Sequence, residues 1–264
     1  HDGGERVVVD VSAMGKSTDA LVAQARALTE HPDPREMDML VSAGERISIA
    51  MMSIAISGLR PGLAVSFTGS QIGLITDCNH GDARVLEIKG DRLRQALDEG
   101  RIAVVAGFQG GSTAREITTL GRGGSDTTAV AVAAALQADV CEIYSDVDGV
   151  YTSDPRLAPS ARRLDTVDYE TMLEMSAAGD KVLKDDAVEY ARRLGVRIAA
   201  GSSSSGRIGT IVSSENLNRE TLQSMVYYDR LRWIAFGAGV PLPPDCRLCQ
   251  SIEGRTVVVV DERH

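Results

Sequence analysis

Apolar runs and amphipathic stretches alternate along this chain as far as residue 212. Residues 7–11, 64–68, 74–76, 101–108, 140–144 and 196–200 are short, apolar and rich in valine, isoleucine or alanine, the pattern of buried strands. Residues 19–29, 35–59, 91–100, 127–136, 166–178 and 187–194 carry helical spacing, the third ending at Gly100 as a C-cap. Strands that alternate with helices predict an α/β fold: a three-layer α/β/α sandwich with a mainly parallel sheet. Beyond Ser213 the pattern weakens. Residues 220–235 and 255–260 read as strands around a turn at 237–244, with no second helix. The expected division is a main domain over 1–212 and a short α+β appendage over 213–264.

The densest punctuation lies at residues 118–128, Thr-Thr-Leu-Gly-Arg-Gly-Gly-Ser-Asp-Thr-Thr, between the 101–108 strand and the 127–136 helix. A glycine-rich turn that opens a helix presents backbone N–H groups and a positive dipole end to an anion, and Arg122 adds a full charge. Ser125 or Asp126 is the expected N-cap. The string is neither G-x-x-x-x-G-K-[ST] nor G-x-G-x-x-G, so it is neither a P-loop nor a dinucleotide fingerprint. Upstream, Ser12-Ala-Met-Gly-Lys-Ser-Thr18 is a strand-to-helix turn whose hydroxyls and glycine suit a small anion, or simply cap a helix. The loop at 110–116 carries Arg115, placed to pair with a substrate carboxylate in bidentate fashion. Arg84 and Lys89 read as surface charge. Asp146 and Asp148 lack the remaining ligands of a calcium loop.

Taken together these stretches resemble the aspartate kinases, within the amino acid kinase superfamily. Thr-Thr-Leu-Gly-Arg-Gly-Gly-Ser-Asp is the signature loop. Val11-Ser-Ala-Met-Gly15, Ser42-Ala-Gly-Glu-Arg46, Ser66-Phe-Thr-Gly-Ser-Gln71 and Ser145-Asp-Val-Asp-Gly-Val-Tyr-Thr-Ser-Asp-Pro-Arg156 follow the family's chain order. The resemblance implies an enzyme that phosphorylates the side-chain carboxylate of L-aspartate with ATP and Mg2+, the first step toward lysine, threonine and methionine. Residue by residue it implies that Ser12, Thr18, Arg115, Arg122, Gly123, Ser125 and Asp126 bind substrate, and that Glu45 grips the α-amino group. It also implies that Ser145, Asp146 and Tyr151 lie against the nucleotide, that Arg156 reaches its phosphates, and that Lys181 and Arg122 serve catalysis. Glu45 with a carboxylate-binding arginine favours a free amino acid over an N-acylated one.

Three departures accompany the resemblance. The family's opening strand and Lys-Tyr-Gly-Gly-Thr-Ser loop are absent ahead of residue 7, which implies a fragment, missing residues or a degenerate relative. A non-catalytic nucleotide- or amino-acid-binding partner is therefore the alternative. Lys184-Asp-Asp186 replaces a His-Pro-Arg string, and Lys16 replaces an acidic residue. The 213–264 segment resembles a reduced ACT module, which implies a possible lysine or threonine effector, and the family implies a homo-oligomer.

Composition narrows the partners. The chain has 264 residues, 43% hydrophobic but only 4% aromatic, so its core is aliphatic and alanine-rich. A net charge of −9 argues against nucleic acid or an anionic membrane as main partner. No run reads as a membrane span or a signal peptide, so the cytoplasm is expected. Cys246 and Cys249 have metal or redox spacing without a second Cys/His pair, and no metal site is expected.

Overall fold

The computed structural model describes residues 3–156, 158–177, 182–214, 231–236, 248–252 and 255–261. Lys181 and Cys246 lie outside them, as does the turn expected at 237–244. In chain order the first half contains β1 (Val8–Val11), α1 (Ser17–Leu28), α2 (Pro34–Val41), α3 (Ala43–Leu59), β2 (Ala64–Phe67), β3 (Leu74–Thr76), β4 (Val85–Ile88), α4 (Asp91–Asp98) and β5 (Ile102–Ala106). Then come β6 (Gln109–Ser112), β7 (Ile117–Thr119), α5 (Gly124–Leu136), β8 (Cys141–Ser145), β9 (Thr166–Asp168), α6 (Tyr169–Ala177), α7 (Asp185–Leu194), β10 (Ile198–Ser202) and β11 (Ile208–Ser213). Three further strands, β12 (Leu231–Phe236), β13 (Leu248–Ile252) and β14 (Arg255–Asp261), form an antiparallel sheet of order β12-β14-β13.

The sheet that positions the site is β1-β5-β2, parallel throughout. Its middle strand is sealed on both faces, as a continuous apolar run requires. Val104 and Ala106 face Ile49 of α3, whereas Ala103 and Val105 join Leu93 of α4 and Ala131 and Val132 of α5. Helices therefore cover opposite faces, which gives the α/β/α layering. A second sheet, β8-β10-β11-β9, packs on α5, α6 and α7, with β8 parallel to β10 and β11 antiparallel to it. A third, β4-β3-β6-β7, is mixed.

Several local expectations change. The helix expected over 35–59 is two helices that part at Ser42, whose carbonyl accepts from Gln109 Nε2 at 2.9 Å. Asp33 caps the first, accepting from the Arg35 and Glu36 N–H groups ahead of a proline at the helix start. The loop expected at 110–116 is mostly the β6–β7 hairpin, and residues 85–88 are a strand with Leu86 turned to solvent. Residues 166–168 begin as strand β9, and the serine-rich stretch after Gly201 leads into strand β11. Gly123, in the left-handed region at φ 76°, is the N-cap of α5; Ser125 and Asp126 sit inside its first turn.

Contrary to the expected lack of a membrane-length run, Pro34–Leu59 (26 residues, mean hydropathy 1.5) is long and apolar enough to cross a membrane by length and composition. The Glu45-Arg46 pair divides that run in the sequence. In the fold, its inner residues Asp38, Val41, Glu45 and Ile49 are buried, and Ile47, Met51 and Ile54 point outward.

Tyr190 of α7 joins the two halves. Its ring packs against both main apolar clusters, and its hydroxyl donates to the Val85 carbonyl of β4. Tyr190→Phe removes that donor while keeping the ring. The expected cost is about 1 kcal/mol, or roughly 2–4 °C in Tm, read by calorimetric melting of the whole chain.

Candidate functional site

Two groups of predicted residues gather at the carboxyl ends of the parallel strands. The first lies where β1 and β5 meet the start of α5. Gly107 ends β5, and a Cβ there would stand 2.4 Å from Asp10 Oδ1 and 2.8 Å from Ser125 Oγ. Only glycine allows that approach. It lets Ser12 Oγ donate to Ser125 Oγ at 2.8 Å, so two predicted substrate residues 113 positions apart touch. Glu45 closes the other side: its Oε1 accepts from the Ala13 N–H at 3.1 Å, and Gly44 allows α3 to press against Ala13. Thr18 lies beside Gly44.

This group is rich in carboxyls kept from water. Glu45 is 3% exposed, and its Oε2 has no hydrogen-bond partner among the described residues. Burial raises the Glu45 carboxyl above the usual carboxylate range, opposed by backbone N–H donors at Glu45 and Ala13. Burial likewise raises Asp126, and the positive charge of Lys184 opposes the rise. Asp10 is the extreme case. Its Oδ2 is sealed and unpartnered, and burial, then Asp126, then Glu45 push its carboxyl well up. Sequence reasoning passed over Asp10, because it interrupts a valine run and reads as an edge polar residue.

The glycine-rich loop leads into α5. Gly121 and Gly123 are both left-handed (φ 72° and 76°), which turns Arg122 outward, exposed and with no ion pair among the described residues. Gly124 allows α5 to start against Phe108 and Leu120. Across the loop lies Lys184, the N-cap of α7, whose aliphatic stem rests where a Gly123 side chain would be, 2.1 Å from Cγ. Lys184 thus brings a cation to the loop and to Asp126. Its contact with the loop is invisible to motif reading, since it depends on two helices packing together. Arg115 stands at the tip of the β6–β7 hairpin, exposed and left-handed at φ 64°, while neighbouring Glu116 pairs with Arg35 of α2. No hydrogen bond or ion pair joins Arg115 to the Ser12–Glu45–Ser125 group among the described residues.

The second group follows β8. Ser145 Oγ accepts from the Val147 N–H, and the Ser145 carbonyl accepts from Ser203, so the serine-rich turn rests on the exit of β8. Tyr151 donates to Asp148 Oδ1 at 2.9 Å. Asp146 is exposed, and it acts electrostatically on Arg156. Arg156 folds back onto Asp154, 2.7 Å from Oδ2, and remains 87% exposed. Its charge is occupied within the turn rather than presented to a phosphate. Among the described residues no set of three or more His, Cys, Asp or Glu side chains could hold a metal ion.

Comparison with known proteins bears on the family and the fold. The model of the amino acid kinase family matches residues 1–200. The aspartokinase of Mycolicibacterium smegmatis is 56% identical over 245 residues, which is 91% of this chain and 58% of that relative. The aspartokinase of Corynebacterium glutamicum is 55% identical over 211 residues, 80% of this chain and 50% of its own length. The chain thus spans about half the length of the curated relatives it matches. Among solved structures, aspartate kinase from Synechocystis superposes with a TM-score of 0.72 at 40% identity, over 99% of this chain and 48% of that one. E. coli aspartokinase III in complex with aspartate and ADP gives 0.70 at 27%, over 92% and 59%.

The Asp10 environment makes a signed prediction. Its folded pKa lies above the unfolded value of about 3.9, so the native state holds a proton that the unfolded chain releases. Stability from this group is complete below the unfolded value and is lost as pH rises through the folded one. Asp10→Asn, neutral at every pH, should melt higher than the parent at pH 8 and no higher near pH 4. Each kcal/mol relieved appears as about 2–4 °C in Tm.

Proposed function

Because the chain belongs to the amino acid kinase family, we propose that it transfers the γ-phosphoryl group of ATP to the side-chain carboxylate of L-aspartate. The observation that carries this reading is the buried, unpaired Glu45 Oε2 beside the Ser12–Ser125 contact, at the foot of the glycine-rich loop. A carboxylate oxygen without a donor costs about 1–3 kcal/mol when buried, and more when charged. An α-ammonium group supplies the missing donors. The hydroxyls of Ser12 and Ser125 and the charge of Arg122 then suit the carboxylates of the same ligand, with Thr18 and Arg115 at the rim.

The aspartate side chain, with a pKa of about 3.9 unperturbed, is ionised at neutral pH and needs no general base. Its oxygen attacks the γ-phosphorus, the bond from phosphorus to the bridging oxygen breaks, and ADP leaves with that electron pair. The product is an acyl phosphate. The protein's work is alignment and neutralisation of phosphoryl charge. Backbone N–H groups at Gly123 and the start of α5, with Arg122 and Lys184, provide it. Ser145, Asp146 and Tyr151 would seat the nucleotide, and Arg156 would exchange Asp154 for a phosphate. Lys181 retains its proposed catalytic part, though it lies outside the described residues. With no side-chain cage for it among the described residues, Mg2+ would be held chiefly through the phosphate oxygens, where it adds positive charge.

Residues 1–212 would form the kinase domain and 213–264 a reduced regulatory segment. E. coli aspartokinase III is also known in complex with lysine and aspartate. For this chain a lysine or threonine effector is the corresponding proposal. The outward apolar residues Ile47, Met51 and Ile54 of α3 support a homo-oligomer, and a cytoplasmic place in lysine, threonine and methionine synthesis completes the reading.

Hydroxylamine trapping with L-aspartate and Mg-ATP tests it: aspartyl hydroxamate is expected. Calorimetric binding without product would favour a non-catalytic binding protein, and neither binding nor product would end the assignment. In the same assay Lys184→Met keeps the stem on Gly123 but removes the charge. Turnover should fall by about a hundredfold, the usual effect of losing one transition-state charge partner.

A further inference from the structure

We infer that Asp38 of α2 is a positioning residue for the glycine-rich loop: its buried carboxylate fixes both the strand that enters the loop and the turn on which Gly121 rests. The inference deepens the proposed function, and rests on it in taking that loop as the element that meets the phosphoryl group.

Asp38 is 1% exposed, on the inner side of α2. Its bonds reach outward from the helix to the loop's supports. Thr119 Oγ1, two residues before Gly121, donates to Oδ1 at 2.5 Å. The Gly81 N–H donates to the same carboxylate, 3.1 Å from Oδ1 and 3.2 Å from Oδ2. His80 Nδ1 lies 2.6 Å from Oδ2. The turn so held is the floor of Gly121, where a Cβ would stand 2.7 Å from Asp82 Oδ1 and 3.5 Å from the Gly81 carbonyl. The Ala83 N–H donates to the Thr119 carbonyl at 2.9 Å, which ties floor and strand to each other. Immediately beyond, the Leu120 N–H bonds the Phe108 carbonyl, and the chain enters the left-handed turns at Gly121 and Gly123 that present Arg122.

A carboxylate suits this position because both of its oxygens are engaged, Oδ1 by Thr119 and Gly81 and Oδ2 by His80 and Gly81. Asparagine would accept on one and turn an N–H2 toward groups that also donate. The α2–α3 pair carries this clamp seven residues ahead of Glu45, which holds the Ala13 backbone. One helical pair therefore holds the loop and the proposed amino-acid subsite in a common frame.

The test uses the full chain with Thr119→Val, Thr119→Ser, Asp38→Asn and the double variant Asp38→Asn/Thr119→Val. Two quantities are read alongside Tm: hydroxamate turnover, and the rate at which trypsin cuts the native protein after the exposed Arg122. Thr119→Val should lower kcat by about ten- to a hundredfold, the range that misplaced reacting groups cost, with KM for ATP little changed. Cleavage after Arg122 should rise by at least about tenfold, since opening governs native-state proteolysis. Thr119→Ser, which keeps the hydroxyl, should restore both. The double variant should be no worse than Asp38→Asn alone, because the two groups act as one unit. Parental turnover and cleavage in Thr119→Val would overturn the inference, as would losses that multiply in the double variant. If Asp38→Asn does not fold, the two Thr119 single variants decide. If the parent makes no hydroxamate, the proposed reaction falls, and the cleavage rates still decide whether Asp38 holds the loop.

Discussion

The site depends on a side chain that is not there. At Gly107 the carboxyl end of β5 leaves open the space a Cβ would fill, and Asp10 and Ser125 close upon it. Any other residue would drive β1 and α5 apart, and the Ser12–Ser125 hydrogen bond would be lost with them. The same device recurs at Gly44, where α3 meets Ala13, and at Gly124, where α5 starts against Phe108 and Leu120. Each missing Cβ exchanges conformational restraint for close approach of backbone. Gly107 and Gly44 in this way bring Ser125 and α3 against the exit of β1, where Ser12 bonds Ser125 and the Ala13 N–H bonds Glu45.

Close approach has an electrostatic consequence. Carboxyls brought into a space that excludes water are pushed toward their neutral forms, and Asp10, Glu45 and Asp126 all shift upward with burial as the leading cause. An arrangement chosen for stability alone would avoid this, since unpaired buried carboxylates oppose folding. On the proposed function, the site would carry that cost until an ammonium group arrives. The net charge of −9 does not conflict with an anionic cosubstrate. Salt screens distant charges over about 8 Å, so Arg122, Lys184 and the N–H groups at the start of α5 govern what a phosphate meets.

What the sequence revealed follows from where the information lies. Strands β1, β2, β3, β5 and β8 were legible because each is an apolar run whose burial needs no knowledge of its partner. Strands β4, β6, β7, β9 and β11 were not. Gly110, poor in strand propensity, sits in β6 because its backbone must pass Leu74 and Thr76, where a Cβ would come within 2.5 Å of Leu74 Cδ2. The capping expectation failed for a related reason. Ser125 faces Ser12 instead of its own helix terminus, and Gly123 takes the cap position that its left-handed φ allows. Motif resemblance brought Ser12, Glu45, Ser125 and Asp126 into the candidate site. Asp10, Asp38 and Lys184 could not enter it that way, because each makes its contacts with segments far away in the chain.

Helix α7 shows why the two halves of the proposed site have to be considered as one body. Its N-cap Lys184 lies on Gly123 of the loop, and Tyr190, farther along, bonds the Val85 carbonyl of β4 and packs on both apolar clusters. Phosphoryl transfer requires donor and acceptor to meet in line, with reacting atoms about 3–3.5 Å apart. In this fold the proposed acceptor side is built on β1, α3 and β5, and the proposed donor side on β8 and the turn after it. Among the described residues no strand pairing joins β1-β5-β2 to β8-β10-β11-β9. The distance between them is therefore set by side-chain packing through α5 and α7. Small changes on α7 should act on alignment. The charge that Lys184 brings and the rigidity that Tyr190 brings come from the same helix, so on the proposed function the element that would neutralise the transferring group would also fix where that group is held.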